Sequence, residues 1–118
     1  MNKEFKLPIP KDERYIFLIK LLGTFIDEYK VLSDREIEVL AELYKLHDKY
    51  INVPEEDKGK LIFHADNKKD IAEKVGITLF NLHNVIGSLT KKGFRDELGL
   101  PKVIPMMDSV TIKFTDNE

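Results

Sequence analysis

The sequence predicts a mainly α-helical domain completed by a small β-sheet, and three observations carry that prediction. Apolar residues recur at spacings of three and four over most of the chain between Glu13 and Gly93. Two helix starts are marked, by Ser33 with Glu36 three residues later and by Thr78 just behind Gly76. Both ends alternate in twos, with Phe5, Leu7 and Ile9 at one and Val110, Ile112 and Phe114 at the other.

The elements follow in chain order. Pro8 and Pro10 interleave with Phe5, Leu7 and Ile9, so this segment is expected to be an edge strand or an ordered arm. Ile16, Phe17, Ile19, Leu21, Leu22, Phe25 and Ile26 fit one helix from about Glu13 to Tyr29, with Gly23 its weak position. A buried strand over Tyr15 to Leu22 competes, but the length of the run favours helix. Ser33 and Glu36 form a capping-box signature, placing a helix from Asp34 to about Tyr50 with Ile37, Leu40, Ala41, Leu43, Tyr44 and Leu46 on its buried face. From Asn52 to Lys60, turn formers and charges without apolar period read as a surface loop, closed by Leu61, Ile62 and Phe63 as a short strand or packed turn.

The next segment has the layout of a helix-turn-helix. Asp66 or Asn67 caps a helix through Val75, whose inner face is Ile71, Ala72 and Val75. Gly76 supplies the left-handed turn residue, Ile77 plugs the corner, and Thr78 caps a second helix. Leu82, Val85, Ile86 and Leu89 give that second helix its core spacing, and Gly93 ends it after Lys91 and Lys92. Beyond Phe94, Gly99 and Pro101 are turn residues, Val103 and Ile104 a possible strand, and Val110 to Phe114 an alternating one, which together read as a hairpin. The strand at Phe5 to Ile9 has the same alternation and suits pairing with Val110 to Phe114.

Ala72, Gly76, Ile77, Leu82 and Val85 occupy the positions of the small residue, turn glycine and core aliphatics of the helix-turn-helix superfamily, which this segment resembles. Leu32 to Leu40 looks like the opening helix of many bacterial and phage regulators, and Leu89 to Phe94 looks like the end of a recognition helix entering a wing. The resemblance covers Leu32 to about Phe114. It implies a winged helix-turn-helix over 32–118, preceded by an arm and an extra helix over 1–31 that pack on the same domain or serve as a dimer or partner surface. In size and composition the chain is similar to small bacterial or bacteriophage winged-helix proteins.

Charge is unevenly spread about a net of -2. Between Ile26 and Lys58 ten acids face five bases, whereas between His64 and Lys102 seven bases face five acids. The basic half coincides with the motif, which points to a nucleic-acid partner, duplex DNA first. The outer face of helix 79–92 would present Phe80, Asn81, His83, Asn84, Ser88 and Lys91. Asparagine pairs with adenine, histidine and serine donate or accept, and phenylalanine touches a thymine methyl. The helix start at Thr78 would meet a phosphate, and Lys68, Lys69, Lys91, Lys92, Arg95 and Lys102 would supply further phosphate contacts. The expected activity is that of a regulator of transcription or replication. The alternative is a protein-docking adaptor or phage accessory component, with helix 13–29 as the dimer or partner surface.

Other classes find no support in the sequence. Without cysteine there is no disulfide, thiol nucleophile or thiolate metal site. His47, His64 and His83 form no metal-binding pair, and no phosphate-binding glycine loop or nucleophile elbow occurs, so neither enzyme activity nor a cofactor is expected. No small-molecule ligand is evident. No apolar run reaches about 18 residues and the N-terminus lacks a signal-peptide layout, so the expectation is a soluble protein of the cytoplasm, the host's if phage-encoded.

Overall fold

The computed structural model describes residues 2–8, 13–95 and 109–115. In order these form β1 (Asn2–Pro8), α1 (Arg14–Phe25), α2 (Asp27–Lys30), α3 (Asp34–Lys49), α4 (Glu55–Ile62), α5 (Ala65–Val75), α6 (Leu79–Lys91) and β2 (Ser109–Thr115).

Helix α3 is the hub, because it alone packs against α1, α4, α5 and α6. Its sequence fits that position: Val39, Leu40, Ala41 and Leu43 are all fully buried, interrupted only by the partly covered Glu42. Leu18 and Ile19 from α1, Ile62 from α4 and Leu82 and Leu89 from α6 complete one core with no solvent exposure. Each such side chain contributes about 1.5–3 kcal/mol by leaving water. Tyr15 of α1 lays its ring against Tyr44 at 5.4 Å and donates to Asp48 Oδ2 at 2.5 Å, fastening α1 to the far end of α3.

The expected winged architecture, mainly α with a small β-sheet, is overturned. Six helices make up the described body, and no strand enters it. The backbones of β1 and β2 pair with each other in antiparallel register, Phe5 opposite Ile112 and Leu7 opposite Val110, and with no other element among the described residues. Phe94 supplies the physical reason. Instead of leading away into a wing, it is buried, and its ring meets Tyr29 edge-on at 5.2 Å. The chain leaving α6 is thereby drawn onto the segment around α2, and among the described residues no strand contributes to the core. The possible strand at Val103 and Ile104, with its turn residues, lies outside the described residues.

Two further expectations are corrected. The single helix from Glu13 to Tyr29 is broken at Ile26, whose extended backbone (φ -120°, ψ 118°) separates α1 from α2. The fold-back brings the Tyr29 carbonyl oxygen to 3.4 Å from where a Cβ on Gly23 would stand, an ordinary van der Waals contact, so a small residue fits there but glycine is not required. The loop expected over Asn52 to Lys60 is largely helical, and Leu61 and Ile62 finish that helix rather than forming a strand. Pro54 stands at its N-cap, and Glu55, Glu56 and Asp57 in its first turn and Lys60 in its last complement the helix dipole. Only Ile62 and Lys58 are buried, so α4 lacks the apolar stripe by which periodicity detects a helix.

Helices α5 and α6 stop in the same way. Past α5, Gly76 takes φ 78°, and the N–H groups of Gly76 and Ile77 return to the Glu73 and Ala72 carbonyls. Past α6, Gly93 takes φ 84°, with Gly93 and Phe94 returning to Thr90 and Leu89. Both are Schellman turns whose following apolar residue folds onto the core. A Cβ at Gly76 would meet nothing within 4 Å, so the cost of Gly76→Ala is conformational alone. We expect that variant to lose about 1–2 kcal/mol in urea unfolding, and Gly76→Asn to lose less.

Candidate nucleic-acid interface

The site is built on α6. Thr78 accepts a hydrogen bond at Oγ1 from the Asn81 N–H at 3.1 Å, which fixes the start of the helix. Leu82, Ile86 and Leu89 face the core, and Ile77 and Val85 pack partly against it. At 100° per residue this leaves Phe80, Asn84, Gly87 and Lys91 as one outward row, flanked by His83 on one side and Asn81 on the other. Phe80 is 74% exposed, and Asn81, His83, Asn84 and Lys91 are exposed as well. Among the described residues, the side chains of Asn81, Asn84 and Lys91 make no hydrogen bond or ion pair within the chain.

Ser88 and Lys92 do different work from that expected of them. Ser88 Oγ donates to Glu36 Oε2 at 2.8 Å, and Lys92 Nζ donates to Glu36 Oε1 at 2.7 Å and to the Val31 carbonyl at 2.9 Å. Glu36 also accepts from the Ser33 N–H at 2.8 Å, while its own N–H donates to Ser33 Oγ at 3.2 Å. The capping box at the start of α3 therefore doubles as a clamp on the C-terminal end of α6. Burial of Glu36 opposes its ionisation, but the bonds from Lys92, the Ser33 backbone and Ser88 outweigh it and hold its carboxyl down to about 2. In this arrangement Ser88, expected to read a groove, and Lys92, expected to meet a phosphate, are both engaged within the chain.

The first helix of the motif is held just as closely. Its cap is His64, whose Nδ1 accepts from the Asp66 N–H at 3.2 Å, rather than Asp66 or Asn67. Asn67 instead staples α5 to its neighbours, donating from Nδ2 to the Leu61 carbonyl at 2.6 Å and to the Tyr50 hydroxyl at 3.2 Å. Arg35 of α3 donates to the Val75 carbonyl at 2.7 Å, satisfying the end of α5.

The basic residues expected to contact phosphate fall into groups. Lys69 is exposed on α5 and Lys91 on α6, and Lys102 lies outside the described residues. Lys68, His83 and Arg95 converge on one cleft of about 290 Å³ beside α6, whose remaining lining is Phe63, Ile86 and Gly87. Phe63 and Gly87 were not singled out from the sequence. The signal for Gly87 was its presence inside an exposed helix, where glycine costs about 1 kcal/mol relative to alanine and nothing in the fold calls for it. Among the described residues no group of histidines and carboxylates is placed to hold a metal ion, and no helix is long and apolar enough to cross a membrane.

No protein-family model matches the chain, and neither a curated protein nor a solved structure matches it.

Proposed function

We propose that the protein is a non-catalytic nucleic-acid-binding module that reads duplex DNA with α6. The observation that carries the reading is the division of labour around that helix. Residues needed for folding lie on its inner side and at its clamped end. Phe80, Asn81, Asn84 and Lys91 have no such duty and stand in the solvent at the spacing of one helical face. In the major groove the two asparagine amides have the donor and acceptor pair that matches adenine, and the Phe80 ring suits a thymine methyl. Lys91 on the outer row of α6, Lys68 and Arg95 in the cleft beside it and Lys69 exposed on α5 supply positive charge for phosphate oxygens. Regulation of transcription or replication is the process such a module would serve.

Fluorescence anisotropy with a random duplex over a salt series tests this. Four phosphate contacts give a log-affinity against log-salt slope of about -3 to -4, and replacing Asn81, Asn84 and Lys91 together by alanine should flatten it by about 1 and weaken binding at least tenfold. The triple variant should keep its unfolding midpoint, since none of the three side chains is bonded within the chain. Absence of duplex binding by the wild type at low salt would refute the reading.

A protein-docking role is the second reading, favoured by the apolar residues the fold leaves outside. Phe25, Ile26 and Val31 are 76%, 40% and 59% exposed around α2, and Leu79 joins Phe80 at the start of α6. The buried side of α1 is spent on the core through Tyr15, Leu18 and Ile19, so a partner would meet the α1–α2 corner.

A further inference from the structure

The cleft beside α6 has a composition unlike the rest of this acidic chain. Three nitrogen-bearing side chains line it, Lys68 from α5, His83 from α6 and Arg95 beyond α6, and no carboxylate does among the described residues. The Arg95 guanidinium lies 4.4 Å above the Phe63 ring and donates from Nη1 to Thr90 Oγ1 at 3.2 Å. Thr90 in turn donates to the Ile86 carbonyl at 2.9 Å. The cation is thus oriented before any ligand arrives, which lowers the ordering cost of binding. Phe63 and Ile86 give the cleft an apolar wall, and the absent side chain of Gly87 keeps its mouth open. At about 290 Å³ it stands at the lower end of the range for small-molecule sites.

From these features we infer that the cleft is a binding site for a phosphate ester carrying a flat, largely apolar body, the chemistry of a nucleoside monophosphate unit. Lys68, His83 and Arg95, contributed by three separate segments to the cleft lining, supply donors to the oxyanion, and the body rests against Phe63 and Ile86. The three separate donors match the three oxygens of a phosphate monoester better than the two of a carboxylate. A free nucleotide offers all three oxygens; a nucleic-acid strand running past α6 would offer a phosphodiester with only two and a single charge, leaving one donor unused.

The test uses the full chain and follows backbone amide NMR shifts during titration with AMP, with inorganic phosphate and with a short duplex. Saturable shifts at Lys68, His83 and Gly87 with AMP are expected, weaker with phosphate alone. Lys68→Ala removes a charged donor and Gly87→Leu fills the mouth, and each should weaken AMP binding about tenfold or more. A side chain at Gly87 meets no atom within 4 Å of its Cβ and favours the helix, so Gly87→Leu should not lower the melting temperature. Movement of these amides with the duplex alone, diminished by Lys68→Ala, would identify a nucleic-acid strand as the source of the phosphate. Stationary amides with all three probes, or AMP shifts that survive both substitutions, would overturn the site. The two readings fail separately: a wild type that takes AMP here but no duplex keeps this site and loses the proposed function.

Discussion

Replacing Glu36 by alanine is expected to cost about 2–3 kcal/mol in urea unfolding at neutral pH, far more than a surface glutamate. The side chain is 7% exposed and joins Ser33, Ser88 and Lys92, so its loss strands several donors at once. Lys92 is itself 30% exposed and can turn back to water, which keeps the cost below that of a fully buried pair. The same residue sets an acid sensitivity. Its carboxyl titrates at about 2 in the folded protein against an ordinary 4.5, so acidification protonates the unfolded chain first. Its contribution is therefore complete above about pH 4.5 and is lost as the pH falls towards about 2. Urea midpoints taken over this window should fall less steeply in Glu36→Gln than in the wild type. Parallel curves would mean that the carboxylate is not held in this network.

Leu82→Ala should destabilise by about 3–4 kcal/mol, and Asn84→Ala, two residues along the same helix, by no more than about 0.5 kcal/mol. Leu82 has no exposure and sits where α6 meets α3, so truncation leaves a void that packed helices cannot fill. Asn84 faces solvent and binds nothing within the chain. Unfolding midpoints for the two variants measure how α6 is turned. Comparable losses would mean that the helix is rotated from the orientation described, which would remove the outer row on which the proposed interface stands.

The helices with a broad apolar face were legible in the sequence, because a core imposes its period on the residues that fill it. Ser33 with Glu36, Thr78, Gly76 and Gly93 announced their own boundaries through local chemistry that needs no tertiary information. α4 was not legible, since its helix rests on Pro54, three acids and a single core residue, Ile62. The break at Ile26 was equally hidden, for the apolar spacing runs on through Phe25 and Ile26 with no local stop signal at the residue whose backbone turns extended. The alternation shared by Phe5 to Ile9 and Val110 to Phe114 marked two extended segments that do pair with each other, but a wing was the wrong surrounding to give them. On α6 the sequence separated inner from outer face, but it could not distinguish a Lys92 aimed at phosphate from one aimed at Glu36. That choice is made by α3, which lies 56 residues away along the chain.

The clamp at Glu36 also bears on the thermodynamics of recognition. Surface helices that carry binding residues often order as they bind, and the freedom they surrender is subtracted from affinity. Here α6 is moored at its far end to α3 and Val31, capped at its near end by Thr78, and backed by Leu82, Ile86 and Leu89. Little backbone entropy is left for a ligand to remove. Association should consequently show a small heat-capacity change and a rate set by encounter rather than by folding, with discrimination resting on the few side chains the helix holds out.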